Sequence, residues 1–365
     1  MIKIERCLKE LISIKTISGH CKENKEALDW IKKKIKNLPV YIKEFKSNSF
    51  SSLIITTQKT KTPIVCFVAH IDVVPGPNEI FIPKRRGNII YGRGAFDMKF
   101  AIVCYIKLLV EINKDLSRYN FGILITSDEE IGGYNGTNTV LNYGFNPKVC
   151  LLPDAGSNWK YESGAKSSWR LSIQSKGKTA HGSKPWQGKS AVEKLIEFLF
   201  FLRKEFPIEP CGISNHYHNS INIGKIQGGE IGNSVADFAE ALIDIRLKPE
   251  IDKKDIKRRM EFIKKKYRNI IIKEITFKRG YKANLNSYYF DLFSSIAYKK
   301  FKINISYKFS HGTSDAYFFN KKKIPVILIQ PKGGGHHTNK EWIDIKDLER
   351  FYSVLRYFTE AAAKK

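Results

Sequence analysis

Long apolar segments are missing from this sequence. No run reaches eighteen apolar residues, the length that a membrane-spanning helix needs. The N-terminus, M-I-K-I-E-R-C-L-K-E-L-I, mixes acidic residues into a helical apolar pattern. It has neither the uninterrupted apolar core nor the small-residue cleavage site of a signal peptide. The sequence therefore predicts a cytoplasmic protein without a membrane partner.

Closely spaced cysteine pairs are missing as well. The six cysteines are far apart and form no C-x-x-C pair: Cys7, Cys21, Cys66, Cys104, Cys150 and Cys211. Several lie in apolar runs such as I-V-C-F-V, where a free thiol behaves as a small apolar side chain. This spacing predicts free thiols in a reducing compartment rather than a zinc knuckle.

Acidic residues are few relative to basic ones. The chain has 36 Asp and Glu against 63 Lys and Arg, which gives a net charge of +27 at pH 7. Such an excess is typical of nucleic-acid-binding proteins. However, the basic residues are mostly Lys in scattered short runs, with no aromatic-interleaved basic motif or known DNA- or RNA-binding signature. We interpret the charge as a composition bias and consider a nucleic-acid partner the weakest alternative, although a diffuse positive field can attract small anionic substrates.

The length of 365 residues favours two domains. The first part of the chain alternates helical and strand-like patterns. Helices are predicted in the first forty residues and over about 98–113, and strands over 40–45, 52–57, 63–69, 121–126 and 149–152. The segment 63–69 is almost continuously apolar, as expected for a strand that is covered on both faces. This alternation predicts an α/β domain with a mixed, largely parallel sheet.

Between residues 167 and 282 the pattern changes. Strand, helix, strand, strand, helix and strand follow one another at 169–175, 191–206, 220–226, 237–247, 256–267 and 270–277. This β-α-β-β-α-β order is that of a ferredoxin-like domain. A helix at about 287–301, strands at 303–309 and 324–329, and a helix from Asp344 complete the chain. We expect a catalytic domain of 1–166 and 283–365 that is interrupted by an α+β domain of 167–282.

Carboxylates and imidazoles cluster where the predicted strands end. They occur in H-I-D-V-V-P, G-R-G-A-F-D-M-K, D-E-E, L-P-D and G-G-G-H-H, and the residues are His70, Asp72, Asp97, Asp128, Glu129, Glu130, Asp154, His336 and His337. In open α/β sheets, the ligand crevice lies outside the carboxyl ends of the strands. We therefore expect these side chains to meet at one edge of the sheet.

These residue types suit a pair of divalent ions. Two ions can share one bridging carboxylate, each with imidazole and carboxylate ligands and an open position for water. A metal-bound water loses a proton near neutral pH, and a carboxylate that is not a ligand can carry that proton to a departing amine. The adjacent Glu129 and Glu130 are suited to these two roles, one on the metal and one off it.

Taken together, the motifs resemble the dinuclear zinc peptidase and amidohydrolase family. That family includes succinyl-diaminopimelate desuccinylase, acetylornithine deacetylase, aminoacylases and glutamate carboxypeptidase. The resemblance covers nearly the whole chain and rests on H-I-D-V-V-P, G-R-G-A-F-D-M-K, S-D-E-E, G-T-S-D-A and H-T-N-K-E-W. It implies a metal-dependent amide hydrolase whose inserted domain is a lid that mediates homodimerisation.

The resemblance also implies a role for each residue of the metal site. Asp97 would bridge the ions, His70 and Asp154 would complete one site, and Glu130 and His337 the other. Glu129 would be the general base, and Asp72 would orient His70. His337 is preferred over His336 because the family pattern has a Glu four residues after the ligand, and Glu341 fits. Two ions are expected, zinc first, with cobalt or manganese as alternatives.

Further matches lie in and near the inserted domain. His181 in K-G-K-T-A-H-G-S matches a lid histidine that stabilises the oxyanion in the partner subunit's site. Asn233 and Arg246 match positions that hold a substrate carboxylate or backbone. Thr313 and Ser314, with His311, match a substrate-facing glycine-rich loop, although a helix-capping turn explains them equally well.

Two positions depart from the family pattern. Asp154 stands where desuccinylases, deacetylases and carboxypeptidases usually carry Glu and where aminopeptidases and dipeptidases often carry Asp, which favours a short peptide slightly. Lys340 replaces a common Asn or Asp. The predicted function is therefore hydrolysis of an amide bond in a short peptide or an N-acyl amino acid. A catalytically silent small-molecule-binding relative and a nucleic-acid-binding protein are the alternatives.

Overall fold

The computed structural model describes residues 2–156, 158–204, 218–267, 269–283 and 285–364. It divides into two compact units. Unit 1 comprises Met1–Ser163, Ala283–Lys308 and Ser314–Lys365, and unit 2 comprises Gly164–Lys282 and Phe309–Thr313. Cys211 and the predicted helix end at Phe206 lie outside the described residues.

Short and long strands are interspersed with helices along the whole chain. The first half contains α1 (Ile4–Ser13), α2 (Cys21–Ile35), β1 (Tyr41–Ser47), β2 (Phe50–Thr56), β3 (Val65–His70), β4 (Lys84–Arg86), β5 (Ile89–Tyr91), α3 (Lys99–Glu111), β6 (Phe121–Thr126), α4 (Thr137–Asn142), β7 (Val149–Leu151), β8 (Lys160–Ala165) and β9 (Ser167–Lys176). The second half contains α5 (Ala191–Lys204), β10 (Ser220–Gly228), β11 (Phe238–Leu247), α6 (Lys253–Lys264), β12 (Ile270–Lys278), β13 (Tyr281–Lys282), α7 (Tyr288–Phe301), β14 (Ser306–Ser310), α8 (Ala316–Lys321), β15 (Val326–Ile327), β16 (Gly333–Gly334), β17 (Trp342–Asp344) and α9 (Ile345–Ala362).

A six-stranded sheet forms the centre of unit 1, in the order β1-β2-β6-β3-β7-β15. Strand β3 runs parallel to both β6 and β7, and β15 is parallel to β7, whereas β1 and β2 are antiparallel additions at one side. Every residue of β3 and β6 is buried. Coverage on both faces explains the unbroken apolar runs of these strands. The predicted mixed, largely parallel sheet is confirmed.

Helix α1 shows how the apolar spacing becomes packing. Its buried residues recur at steps of three and four, which places them on one face of the helix: Ile4, Cys7, Leu8, Leu11 and Ile12. The helix ends where Ile14 adopts an extended conformation. The buried Lys99, at the start of α3, donates from Nζ to the carbonyl oxygens of Leu11 and Ile14, both at 2.9 Å. Lys99 thus gives these two carbonyl groups at the helix end a second donor, in addition to the N–H groups of Ile14 and Thr16.

Unit 2 is a four-stranded antiparallel sheet with two helices. The strand order is β10-β11-β9-β12, with β9 and β11 in the centre. Trp169, Leu171 and Ile173 alternate along β9 towards the core, where Phe198 of α5 and Met260 of α6 are also buried. The β-α-β-β-α-β order with this strand arrangement confirms the predicted ferredoxin-like α+β insertion.

Several short strands of unit 1 differ from the sequence expectations. The predicted strand over 324–329 contains only the two residues of β15 in the sheet. A second sheet, β16-β17-β5-β4, was not predicted. Its strands are two or three residues long and β4 is fully exposed, so they show no apolar alternation. Within the described residues, no helix is both long and apolar enough to cross a membrane.

Candidate metal centre

Each predicted metal ligand lies at the end of a strand or in a turn of unit 1. His70 is the last residue of β3, Glu130 lies in a short 3-10 turn after β6, and Asp154 follows β7. Asp97 lies in the turn between β5 and α3, and His337 lies between β16 and β17. Because β3, β6 and β7 are adjacent and parallel, their carboxyl ends deliver three of these side chains to one edge of the sheet.

The five side chains form two groups that share Asp97. In the first group, Nε2 of His70 lies 3.1 Å from Oδ1 of Asp97 and 3.4 Å from Oδ1 of Asp154. In the second, Nε2 of His337 lies 3.1 Å from Oδ2 of Asp97 and 3.1 Å from Oε2 of Glu130. The ligand atoms within each group lie within 4.8 Å of one another. One carboxylate therefore presents a different oxygen to each group, as a bridging ligand does.

The orientation of His70 is set by a backbone carbonyl. Its Nδ1 lies 2.9 Å from the carbonyl oxygen of Asp72, whereas the Asp72 carboxylate is 3.6 Å away. A carbonyl oxygen can only accept a hydrogen bond, so Nδ1 carries the proton and Nε2 keeps its lone pair. This tautomer points the lone pair of His70 at the first group, which is the arrangement that a metal ligand requires.

The carboxylate of Asp72 has another set of contacts. Its Oδ1 accepts from the backbone N–H of Glu129 at 3.2 Å, and its Oδ2 accepts from that of Glu130 at 3.2 Å. The hydroxyl of Ser18 donates to Oδ2 at 2.7 Å. Asp72 therefore ties the turn that carries both glutamates to the end of β3. Ser18 was not among the predicted site residues, because it belongs to none of the motifs at the strand ends.

Charge within the site favours a bound cation. Burial raises the pKa of the Asp154 carboxyl well above its usual range and also raises the pKa of Glu130. Hydrogen bonds with Asp97 and Glu130 raise the pKa of His337 to about 10. Buried carboxylates at this separation repel one another unless positive charge lies between them. Two imidazoles and three carboxylates in two groups fit a pair of divalent ions with mixed nitrogen and oxygen ligands.

The two groups differ in exposure. The side chain of His337 is 56% exposed, whereas those of His70, Asp97, Glu130 and Asp154 are at most 8% exposed. The site therefore opens to solvent on the side of His337, where ions and substrate can enter.

His336 and Glu129, the sequence neighbours of His337 and Glu130, belong to neither group. The ring of His336 packs against that of Phe96 with the centroids 4.7 Å apart. Glu129 is buried beside Glu130. In each of these adjacent pairs, one residue belongs to a group of candidate ligands and the other does not.

The predicted residues of the inserted domain lie in unit 2. His181 pairs with Ser234 in an isolated bridge, and the N–H of Gly182 donates to the carbonyl oxygen of Asn233 at 2.7 Å. The loops that carry His181 and Asn233 are therefore direct neighbours. Arg246 lies elsewhere in the unit, on β11, where its NH2 donates to Oδ2 of Asp244 at 2.8 Å.

The glycine-rich loop contains both a turn and a buried hydroxyl. Oγ of Ser314 accepts from the N–H of Ala316 at 3.4 Å, at the start of α8. This contact agrees with the turn interpretation of the loop. Thr313 ends the segment of unit 2 and Ser314 begins the last segment of unit 1. The carbonyl oxygen of His311 lies 3.5 Å from NH1 of Arg246.

The chain is similar to known proteins in both sequence and structure. The family model described as Peptidase family M20/M25/M40 matches residues 66–361. A succinyl-diaminopimelate desuccinylase of Rickettsia akari is 27% identical over 381 residues, which cover 96% of this chain and 97% of that protein. A tripeptidase of Staphylococcus aureus superposes with a TM-score of 0.78 at 20% identity, covering 98% of this chain and 97% of that one. An M20 family metallo-carboxypeptidase of Sulfolobus solfataricus has a TM-score of 0.81 at 17% identity, with 99% of both chains covered.

The family match confirms the predicted class of enzyme. The chain is a metal-dependent hydrolase of amide bonds, and no finding favours a silent binding protein or a nucleic-acid-binding protein. The predicted resemblance is confirmed too, because the family model covers most of the sequence, including all five candidate ligands. The chain belongs to peptidase family M20/M25/M40.

Proposed function

We propose that the enzyme hydrolyses an amide bond of a short peptide or an N-acyl amino acid at a zinc pair bridged by Asp97. The observation that carries this proposal is the shared carboxylate, with Oδ1 of Asp97 3.1 Å from His70 and Oδ2 3.1 Å from His337. Zinc suits this mixture of imidazole and carboxylate ligands, and cobalt or manganese are the alternatives.

Glu129 is the proposed general base. The ions, when bound, supply a water of lowered pKa and positive charge for the developing oxyanion. Glu129 would take a proton from the attacking water and return it to the departing amine. Its position is maintained through the backbone, since its N–H donates to Asp72 at 3.2 Å. Burial of Glu129 limits competition from bulk water for this proton.

Residues 167–282 form the proposed lid and dimerisation domain. His181 would stabilise the oxyanion in the site of the neighbouring subunit, while Asn233, Arg246, Thr313 and Ser314 would hold the substrate. Support for a dimer comes from β10, an edge strand of the unit 2 sheet that leaves Ile223 and Ile226 exposed. An exposed apolar edge strand readily pairs with a second copy. We propose that this homodimer acts in the cytoplasm.

Short peptides are the preferred substrate class of this proposal. Asp154 stands at the position where the resemblance associates Asp with aminopeptidases and dipeptidases. The desuccinylase name of the Rickettsia akari relative keeps N-succinyl amino acids as the second candidate. Both classes present an amide beside a carboxylate, and the guanidinium of Arg246 can bind a carboxylate through two parallel hydrogen bonds.

Metal analysis combined with a substrate panel tests this function. Purified protein is stripped of metal, reconstituted with Zn²⁺, and assayed on dipeptides, tripeptides, and N-acetyl and N-succinyl amino acids. We expect two ions per chain and activity on one peptide or N-acyl class that disappears on chelation. Asp97→Ala should lose both ions and the activity, because both groups use this carboxylate. A variant that keeps two ions and full turnover would overturn the bridging role.

A further inference from the structure

The buried carboxylate of Glu341 accepts four hydrogen bonds from one turn. Oε1 accepts from the N–H of Phe96 at 2.8 Å and from that of Asp97 at 2.9 Å. Oε2 accepts from the N–H of Gly94 at 2.9 Å and from NH1 of Arg93 at 3.1 Å. Glu341 is 2% exposed, so these bonds are shielded from water. The turn that contains Asp97 is therefore held by hydrogen bonds to one side chain, that of Glu341.

The same side chain belongs to the segment that presents His337. Glu341 lies four residues after His337 and directly before β17, and its carbonyl oxygen accepts from the N–H of Gly92 at 3.1 Å. Arg93 reaches back from the other turn, since NH1 also donates to the carbonyl oxygen of Thr338 at 3.0 Å. Bonds thus connect the two turns in both directions.

The backbone of His337, in the segment that these bonds hold, has an unusual conformation. Its φ of 58° lies in the left-handed region, which is unfavourable for a residue other than glycine. Such a conformation persists only where its surroundings hold it. The bonds of Arg93 to Thr338 and of Glu341 to the opposite turn are contacts that hold this segment against the rest of unit 1.

We propose that Glu341 is a positioning residue that sets the separation between Asp97 and His337 and thereby the affinity for both ions. The inference rests on the proposed metal site and adds a residue that contacts no ligand atom of the ions itself. Metal ligands tolerate only small displacements, so losing the bonds that hold Asp97 should weaken both groups together. A role in stability alone would leave the affinity of the folded protein unchanged.

Glu341→Gln tests the proposal with little change in shape. The amide keeps one oxygen as an acceptor, but its NH₂ group would face donors, either Gly94 and Arg93 or Phe96 and Asp97. We expect the Zn²⁺ affinity of both ions, titrated into metal-free protein against a competing chelator, to fall by about 10–100-fold. Wild-type affinity for both ions in a folded variant would overturn the proposal.

Asp347→Asn is the matched control. Asp347 is also a buried carboxylate of unit 1, and its Oδ2 accepts from Trp159 Nε1 at 2.8 Å and from the N–H of Lys332 at 2.6 Å. We expect a lower denaturation midpoint of the metal-free protein with no change in Zn²⁺ affinity. An equal loss of affinity in this control would show that general destabilisation explains the Glu341 result.

Arg93→Lys keeps the proposal testable if the Gln variant does not fold. A lysine keeps the positive charge beside Glu341, but its nitrogen lies one bond short of NH1, the atom that donates to both Glu341 and Thr338, so it cannot keep both bonds at their present lengths. We expect the ion at His337 to be weakened more than the ion at His70, and equal or absent weakening would contradict the proposal. Wild-type protein that binds no ion would instead refute the proposed function, and the wild-type titration separates these two failures.

Discussion

Glu129 and Glu130 are neighbours in sequence, yet they lie in different surroundings. Oε2 of Glu130 is 3.1 Å from Nε2 of His337, whereas Glu129 lies outside both groups of candidate ligands. The N–H groups of both residues donate to the one carboxylate of Asp72. Asp72 therefore holds the backbone of two glutamates with different proposed roles. Glu130 is a proposed metal ligand, and Glu129 is the proposed general base.

The exchange Glu129→Gln should separate proton transfer from metal binding. An amide is nearly isosteric with the carboxylate but cannot take a proton. We expect two ions per chain and an unchanged denaturation midpoint, with turnover lowered by about 10²–10⁴-fold. Glu360→Gln, at a surface position that pairs with Arg356 at 3.1 Å, is the control and should keep full activity. Turnover of Glu129→Gln near that of the wild type would refute the general-base role.

Ser18→Ala tests how much the hydrogen bond from Ser18 to Asp72 contributes to the stability of the protein. The exchange removes the 2.7 Å hydrogen bond from the Ser18 hydroxyl to Oδ2 of Asp72. A hydrogen bond to a charged group contributes about 1.5–3 kcal/mol to stability, and we expect a loss of that order in denaturant titrations. Ser353→Ala removes a bond between the partly exposed Ser353 and the carbonyl oxygen of Glu349, and should change little. Equal midpoints for the two variants would contradict this interpretation.

At the scale of secondary-structure elements, the positions of the site residues depend on contacts at the ends of α1 and α3 and on a sheet of short strands. Helix α1 ends at carbonyl groups to which Lys99 donates from the first turn of α3. Lys99 lies two residues after Asp97, in the same motif. Lys99 therefore connects α1 to the start of α3, directly after the turn whose N–H groups donate to Glu341. The sheet β16-β17-β5-β4 brings the two turns together, although its strands are too short to be stable alone.

Lys99→Met should destabilise unit 1 although it replaces a buried charge with an apolar side chain. The exchange removes one of two donors from each of the carbonyl oxygens of Leu11 and Ile14, which keep the N–H groups of Ile14 and Thr16, and each lost hydrogen bond costs about 0.5–1.5 kcal/mol. Denaturant titration of metal-free protein measures this loss without a contribution from bound ions. Lys9→Met is the control, since Lys9 is a partly exposed partner of Glu5. A midpoint for Lys99→Met at or above that of the control would contradict the expectation.

At the scale of the whole molecule, the chain combines two units of different construction. Unit 1 presents ligands at the edge of a parallel sheet, and unit 2 is an antiparallel sheet whose edge strand β10 is exposed. A second domain that carries the proposed oxyanion histidine would make domain closure part of the reaction. The excess of basic residues is spread over the sequence, so the positive charge is a property of the chain as a whole rather than of one segment.

Mixing two inactive variants tests whether His181 serves the neighbouring subunit. His181→Ala removes the proposed oxyanion donor and should lower turnover by about 10²–10³-fold without loss of metal. Glu129→Ala removes the base. If His181 acts across the dimer, a heterodimer has one site with both residues intact, and random exchange should restore about a quarter of wild-type activity.

The control for this experiment is each variant exchanged with itself, which should remain inactive. Subunit exchange is verified by mass spectrometry of the mixture. Verified exchange without recovery would show that His181 acts within its own chain or has no catalytic role. A monomeric protein at assay concentration would refute the dimer itself.

Local patterns in the sequence were sufficient for the fold class, whereas the reaction class followed from the resemblance of the motifs to a known family. Buried strands such as β3 and β6 are visible as continuous apolar runs, and α1 as apolar residues at three- and four-residue steps. Carboxylates and imidazoles directly after such strands predict a shared edge, because parallel strands end on the same side. The order of strands and helices in residues 167–282 likewise predicted a ferredoxin-like insertion.

Only the tertiary structure decided which atoms meet. The bonds of Glu341 to the turn of Asp97 join residues 244 and 245 positions apart, and the strands that align them are two or three residues long. Neither feature leaves a periodic signal in the sequence. The same holds for Asp72, whose carbonyl oxygen contacts His70 while its carboxylate holds the turn of Glu129. Residue types and their positions at strand ends are local properties, whereas hydrogen-bond partners across the chain depend on the packing of the whole unit.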